Sequence, residues 1–233
     1  MMSLPRALAL SFSQLGDPAI VRVLVKSLLI TLGIFIVTGV GLWFVLDALI
    51  ERWVAANLPD DYSDTVAGFV ALVLGLVGAW LLFRFVALFV LQFFADEVVR
   101  AVEMKHYPQR AGLARSFAFR EELANGVRST MRALLVNLLA LPFAIMLLVT
   151  GIGTALLFWA VNAFLLGREL QDMVWLRHRA NASETAPLGQ GSRFLLGGAV
   201  AGLMLVPFAN LLAPVLGAAS ATHMVHAGRA GRA

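Results

Sequence analysis

Long apolar runs dominate the sequence, and polar residues interrupt them at only a few places. Two of these runs, residues 23–50 and 65–94, are separated by a connection that carries Asp60, Asp61 and Asp64. As helices they extend about 40 and 45 Å, whereas a hydrocarbon core is about 30 Å thick. We therefore predict that both runs are long transmembrane helices that cross the bilayer with tilt.

A third apolar run, residues 133–167, is too long for one crossing and is broken at Gly151 and Gly153. Its arms, residues 134–149 and 155–166, reach about 24 and 18 Å as helices, so each is too short for an easy crossing. The Thr-Gly-Ile-Gly sequence between them is too short to form a soluble loop. This pattern predicts a helical hairpin that enters the membrane, turns inside it or near its far face, and leaves by the same side.

The run 194–223 repeats this design. Its two apolar arms flank a stretch bounded by Pro207 and Pro214, and proline interrupts helices. The predicted fold is an all-α integral membrane protein with two long transmembrane helices and two broken, partly penetrating helical hairpins. Small residues in the second hairpin allow its helices to approach closely. They are Gly197, Gly198, Gly202, Gly217 and Ala218.

The remaining segments are more polar. Residues 1–18 have apolar side chains at helical spacing, which predicts an interfacial N-terminal segment. This segment ends at a turn signal, Gly16-Asp17-Pro18, where Asp17 can cap the next helix and Pro18 can occupy its first position. Residues 95–132 are the least apolar part of the chain and predict a cytoplasmic amphipathic helical region.

The distribution of charge predicts the orientation. Basic residues prevail in 95–132 and acidic residues prevail in the connection 50–64, and basic loops remain in the cytoplasm. Both termini are therefore expected in the cytoplasm, and both hairpins are expected to start and end on that side.

A spacing of four residues on one helix predicts the ion pairs Asp96 with Arg100 and Arg168 with Asp172.

Composition agrees with a single membrane domain over residues 1–233. Apolar residues make up 60% of the chain and charged residues 14%, against about 25% in soluble domains. The net charge of +4 is explained by cytoplasmic loops, so no nucleic-acid partner is expected. The first apolar run is longer than the core of a signal peptide and is expected to remain as an anchor. The absence of cysteine excludes disulfides, thiolate metal sites and cysteine nucleophiles.

Arg22 and Lys26 are candidates for anion binding. They lie one turn apart on one face of the helix that starts at Pro18, close to its N-terminus. The simpler interpretation is that both cations anchor the helix at the cytoplasmic interface. The alternative is an anion site that uses the two cations together with the helix N-terminus, whose N–H groups favour negative charge.

Arg84, Asn137, Asn162 and Asn210 are polar residues in apolar surroundings. Arg84 lies either at the inner interface, where its guanidinium can reach the headgroups, or at membrane depth, where it needs a partner or a watery cavity. An unpaired amide is unfavourable in hydrocarbon, so the asparagines are expected to hydrogen-bond between helices or to line a pore.

The two hairpin breaks form a second candidate site. Short, broken apolar segments in corresponding positions indicate a binding site within the membrane, because a broken helix exposes N–H groups at the start of its second half. The candidates for the pore or the hairpin turns are Arg84, Gly151, Gly153, Thr154, Pro207 and Asn210. The structural alternative is a pair of kinked helices that pack a scaffold. No carboxylate interrupts either hairpin, which favours a passive channel or uniporter over a proton-coupled carrier.

His223 and His226 are three residues apart and could share a metal ion. Two ligands without a nearby carboxylate make a weak site, so we expect interfacial histidines, no metal site and no cofactor. The sequence also contains no glycine-rich phosphate loop between a strand and a helix and no nucleophile–base pair. No enzymatic activity is therefore expected.

The order of these segments resembles a known family. Two long helices are followed by a basic amphipathic region, a hairpin with Gly-Ile-Gly at 151–153, and a hairpin with Pro-x-x-Asn-Leu-x-x-Pro at 207–214. A run of small residues follows at 218–222. In this order and spacing the segments resemble the CysZ-type sulfate permeases and the related etoposide-induced membrane protein family, over nearly the whole chain.

The resemblance implies a sulfate-translocating protein of the bacterial inner membrane that supplies cysteine biosynthesis and assembles as a homo-oligomer. It also implies sulfate binding at a Gly-Leu-Arg-like turn before the first long helix. Only Arg22 matches that turn, because Val21 replaces a second arginine. Thr150 replaces the proline before Gly-Ile-Gly, and Leu-Gln-Phe-Phe at 91–94 replaces an Ala-Pro-Phe sequence.

Two functions are compatible with these observations. The first is passive transport of an inorganic anion, sulfate by resemblance, through a multi-pass homo-oligomer in the lipid bilayer. The alternative is a non-transporting membrane scaffold or membrane-shaping protein of the same fold, whose wedge-like hairpins insert from one face.

Overall fold

The computed structural model describes residues 2–57, 60–181, 183–206 and 209–230, and the regular secondary structure of these residues is helical. The elements in chain order are α1 (Leu4–Ser13), α2 (Pro18–Asn57), α3 (Asp60–His106), α4 (Pro108–Ala111), α5 (Phe119–Leu147), a 3-10 turn (Leu148–Thr150), α6 (Ile152–Trp175), α7 (Gln190–Met204) and α8 (Ala209–Ala230). Pro207 and the side chain of Arg84 lie outside these described parts of the chain.

The chain divides into two compact units, and one of them is Arg22–Phe94. Its described interior is small: Val86 is buried and packs against Val23 and Leu82. Many large apolar side chains of α2 within this unit are exposed, among them Leu28, Val37, Trp43 and Phe44. An apolar surface of this extent is unfavourable in water and is typical of helices that face lipid.

Length and composition make two described helical stretches candidates for membrane crossing. They are Pro18–Ile50, with 33 residues, and Phe119–Thr150, with 32 residues. A shorter apolar stretch, Gly68–Leu82, lies within the run 65–94. The all-α prediction is therefore confirmed for the described residues. The run 65–94 lies within the continuous helix α3, and its crossing of the membrane stays a prediction.

The other unit combines Met1–Val21 with Ala95–Ala233. In it α6 packs against α5, α7 and α8, and α1 packs against α8. The helices α6 and α7 cross where Gly167 faces Gly197. A Cβ on Gly167 would overlap the carbonyl of Arg193, and a Cβ on Gly197 would overlap the carbonyl of Ala163. Close approach of these two helices thus requires glycine at both positions, as the run of small residues suggested.

The helix α5 joins two segments that the sequence analysis separated. It runs without interruption from Phe119 to Leu147, about 44 Å, and so combines the end of the region 95–132 with the first arm of the first hairpin. The prediction of a short separate arm was wrong, because the change from polar to apolar residues at position 133 does not break the backbone helix. After one 3-10 turn the chain reverses at Gly151.

The second hairpin also differs from its prediction in detail. The helix α7 ends at Met204, and α8 begins at Ala209 and continues through Pro214 to Ala230. Pro214 therefore lies inside a helix and does not end one. Its missing N–H deprives the carbonyl of Asn210 of a helical partner, which is the local consequence of proline at this position.

Candidate functional site

The start of α2 is capped by an acidic side chain. The N–H of Ala19 donates to Oδ1 of Asp17 over 3.2 Å, and Lys105 forms an ion pair with the same carboxylate. The hydrogen bond from Lys105, followed by that from Ala19, lowers the pKa of Asp17 below its ordinary value. The helix N-terminus is thus occupied by a carboxylate of the chain itself. An anion site that uses this helix end is therefore not supported.

Arg22 and Lys26 lie on α2 beyond this cap, and both side chains are exposed. Among the residues that the structure describes, Arg22 forms no ion pair. Its guanidinium is thus available to an anion. Both cations of the predicted anion site are therefore exposed, whereas Asp17 already accepts a hydrogen bond from an N–H group at the helix end.

The first hairpin turns at Gly151, whose φ of 64° is rare for residues with a side chain. Thr150 organises this turn with its hydroxyl group. The hydroxyl donates to the carbonyl of Leu147 over 2.7 Å and accepts the N–H of Gly153 over 3.0 Å. Thr154 donates to the carbonyl of Ala144 over 3.3 Å and so links α6 to α5. One of the first N–H groups of α6, that of Gly153, is therefore already hydrogen-bonded within the turn.

The tip of this hairpin is apolar and exposed. Val149 is 94% exposed and Ile152 is 73% exposed. No charged residue lies between Ala133 and Gly167. A tip of this composition is expected to lie in hydrocarbon or against another apolar surface.

Asn137 and Asn162 form side-chain hydrogen bonds within their own helices, and the alternative that the asparagines line a pore stays a prediction. The side chain of Asn137 donates to the carbonyl of Ala133, and that of Asn162 donates to the carbonyl of Phe158, each over 2.8 Å. Both bonds lie within one helix, so the prediction of bonds between helices was wrong for these two residues. Asn210 is exposed near the start of α8, and its backbone N–H donates to the carbonyl of Val206.

A buried cluster of polar residues that the sequence did not indicate lies in the unit with α6, α7 and α8. Glu103 comes from α3, His178 from the turn after α6 and His226 from α8. Nε2 of His178 and Nε2 of His226 lie 2.7 and 3.0 Å from Oε1 of Glu103. Each of the three side chains is at most 2% exposed.

Electrostatics keep Glu103 ionised. Burial by itself raises the pKa of this carboxyl group, but hydrogen bonds from His178 and His226, and their charge, outweigh burial and lower the pKa to about 2. A buried carboxylate without such partners would be strongly destabilising. The two imidazoles therefore allow the carboxylate of Glu103 to remain ionised although it is buried.

His223 lies beside this cluster and is also buried. Its Nδ1 forms a hydrogen bond of 3.0 Å with the hydroxyl of Tyr107, and its Nε2 lies 2.9 Å from the amide nitrogen of Gln14. The expectation of interfacial histidines at 223 and 226 was wrong, because α1, α3 and the turn after α6 cover them. The sequence near these two histidines contains no carboxylate, and Glu103 of α3 supplies one to His226.

Two ion pairs of this unit bear on the pairs predicted from a spacing of four residues. Arg177 binds Asp96 over 2.7 Å, so Asp96 is paired with a distant residue in place of the predicted Arg100. The predicted pair of Arg168 with Asp172 is present at 3.7 Å. Long-range pairing at Asp96 shows that a spacing of four residues permits an ion pair but does not select it.

One sequence signal could have identified the burial of Glu103. Ala95, Val98, Val99 and Val102 are buried at helical spacing, and Glu103 continues the same face of α3. A carboxylate on an apolar face requires a buried partner. The identity of that partner is not encoded in the local sequence.

Comparison with known proteins identifies the family of the chain. A sequence model of the family described as sulfate transporter CysZ/etoposide-induced protein 2.4 matches residues 7–214. Among curated proteins, no significant match to the chain is found. The family match extends from α1 into α8 and covers most of the chain. The protein therefore belongs to the sulfate transporter CysZ/etoposide-induced protein 2.4 family, a family of membrane proteins.

Proposed function

We propose that the protein transports an inorganic anion passively across a bacterial inner membrane, with sulfate as the first candidate. The observation that carries this proposal is the family match over residues 7–214, since the family description includes sulfate transporters. Membership of this family also supports a function other than catalysis. The lack of acidic residues in the two hairpins favours passive movement over coupling to protons.

In this proposal Arg22 and Lys26 attract the anion at the cytoplasmic end of α2. Both side chains are exposed, and a guanidinium matches the oxygens of a tetrahedral oxyanion with paired N–H donors. Asp17 caps the helix, so the two side chains supply the positive charge without the helix end. Removal of Arg22 should therefore weaken anion binding more than removal of another exposed cation of α2.

The hairpin turns line or gate the path in this proposal. Gly151, Gly153 and Thr154 shape the first turn, whose exposed apolar tip supports a location inside the membrane. Pro207 and Asn210 take the corresponding place in the second hairpin, and Arg84 is the remaining pore candidate. The exposed apolar side chains of α2 support contact with lipid and with further copies in a homo-oligomer.

The decisive experiment measures sulfate flux in liposomes that contain the purified full chain. The wild-type protein is expected to release or take up labelled sulfate faster than empty liposomes. Arg22→Ala should reduce the apparent sulfate affinity by about tenfold, which corresponds to one charge-assisted hydrogen bond. Lys26→Ala should have a smaller effect in the same direction.

Arg52→Ala is the matched control, because Arg52 is an exposed arginine near the other end of α2. Its replacement removes the same charge and should leave the sulfate affinity unchanged. Wild-type protein without flux above empty liposomes would overturn the proposal and favour a membrane scaffold. Equal losses in Arg22→Ala and Arg52→Ala would overturn the assignment of the anion site while retaining transport.

A further inference from the structure

Three potential metal ligands converge at one buried point, although they are far apart in the sequence. The ligand atoms of Glu103, His178 and His226 all lie within 4.8 Å of one another. His178 and His226 are 75 and 123 residues from Glu103. Without an ion, Nε2 of both imidazoles bonds to one carboxylate oxygen, and these three atoms are of the types that ligate zinc.

The distances require little adjustment for a metal ion. Zinc binds imidazole nitrogen and carboxylate oxygen at about 2.0 to 2.2 Å, so tetrahedral donor atoms are about 3.3 Å apart. Nε2 of His178 and Nε2 of His226 are 2.7 and 3.0 Å from Oε1 of Glu103. These two separations would therefore lengthen by about 0.6 and 0.3 Å to admit the ion, and the three ligand atoms already lie within 4.8 Å of one another.

Neighbouring groups hold the two histidines in place. Tyr107 stacks on the ring of His226, with a centroid distance of 4.6 Å. Arg229 donates to the backbone carbonyl of His178 over 2.8 Å, and its guanidinium also lies over the ring of Trp175. These contacts fix the backbone of His178 and the ring of His226, while Nδ1 of His226 has no hydrogen-bond partner among the described residues.

The donor set indicates the class of metal. Two imidazoles and one carboxylate suit zinc and other first-row divalent ions, whereas magnesium and calcium prefer oxygen ligands alone. Cysteine is absent from the chain, so no thiolate site competes for these ions. A divalent ion would also neutralise the buried carboxylate directly.

We propose that Glu103, His178 and His226 bind one divalent transition-metal ion, with Zn²⁺ as the best match to the donors. The ion joins the end of α3, the turn after α6 and the C-terminal part of α8. Its role is to stabilise this part of the fold, because each ligand comes from a different segment. This proposal does not depend on anion transport.

The test uses the full chain in detergent, without an affinity tag and after treatment with a chelator. Dialysis against Zn²⁺ followed by mass spectrometry should give about one Zn²⁺ per chain. The midpoint of thermal unfolding should rise with Zn²⁺ and not with Mg²⁺. Glu103→Gln and His226→Ala should each weaken Zn²⁺ binding by more than about 100-fold.

His106→Ala is the matched control. His106 is an exposed histidine beside His223, and its ring lies outside the group of three ligands. Its removal should leave the amount of bound Zn²⁺ unchanged. Equal Zn²⁺ binding by the wild-type protein and His226→Ala would overturn the proposal, and so would a wild-type protein that retains no Zn²⁺.

A measurement on the wild-type protein alone covers the case in which the ligand variants do not fold. X-ray absorption of the protein loaded with one Zn²⁺ should show nitrogen and oxygen neighbours at about 2.0 to 2.1 Å, with the outer scattering of two imidazoles. A spectrum without imidazole scattering would refute the assignment. The flux assay reports on the anion proposal separately, so the two proposals can fail independently.

Discussion

The two hairpins follow the same sequence pattern but have different surroundings. In α5, the first arm of the first hairpin, only Ala140 and Ala144 are buried among the described side chains. In α8, the second arm of the second hairpin, all residues from 215 to 226 are buried. Apolar arms separated by helix breakers are therefore not sufficient to predict which arm faces protein and which faces lipid.

The size of the side chains explains this difference. The buried part of α8 contains the small run Gly-Ala-Ala-Ser-Ala-Thr at 217–222, and small residues allow neighbouring helices to approach. The apolar part of α5 is rich in leucine, and its large side chains project outward. Since lipid is as apolar as leucine, van der Waals packing of small residues decides which helix enters the protein interior.

The largest expected effect concerns the glycine crossing of the second hairpin. Gly197→Ala places a Cβ against the carbonyl of Ala163 and the backbone of Gly167, so the free energy of unfolding should fall by about 3 kcal/mol. Denaturant unfolding in detergent measures this change. Gly191→Ala in the same helix has no atom within 4 Å of its new Cβ and should change stability by less than about 1 kcal/mol. Equal effects would refute the close crossing.

The first hairpin depends on its turn more than on its packing. Gly151→Ala forces a side chain into a conformation with positive φ and should cost about 1 to 3 kcal/mol. Gly126→Ala, in an open position of α5, should be neutral or stabilise the protein by up to about 1 kcal/mol. Thermal unfolding of both variants tests the turn. A Gly151→Ala protein as stable as the wild type would contradict the positive φ.

A moderate effect is expected where α1 packs against α8. Ser11→Ala removes the buried hydrogen bond of 2.9 Å between the hydroxyls of Ser11 and Ser220 and should cost about 1 kcal/mol. Ser13 lies on the same helix, and its exposed hydroxyl bonds only to the carbonyl of Leu10 among the described contacts. Ser13→Ala should therefore change the unfolding free energy by less than about 0.5 kcal/mol. A reversed order would show that α1 does not cover α8.

The smallest effect is expected on the exposed face of α5. Asn137→Leu removes a hydrogen bond within its own helix at an exposed position, so stability should change by less than about 0.5 kcal/mol. Sulfate flux should also remain unchanged. A large loss of flux in this variant would indicate that Asn137 lines a pore, as the sequence had suggested.

Local signals in the sequence located several structural features. Asp17 and Pro18 mark the start of α2, since a carboxylate accepts the first N–H groups of a helix and proline fits its first position. Gly151 marks the first hairpin turn because only glycine readily adopts its φ of 64°. The continuity of α5 was missed, because hydropathy reports the environment of a helix and not its hydrogen bonds.

The sequence alone determined that the chain is helical and strongly apolar, and its order of segments indicated the family. It also placed the cations Arg22 and Lys26 on one face of α2, since that relation depends only on helical spacing. Only the tertiary structure brought Glu103, His178 and His226 together. Their contacts span 75 and 123 residues, and no local rule selects such partners. The packing of α8 against its neighbours determines these contacts. A buried carboxylate is stable only beside polar or charged partners, and the fold places those partners next to it.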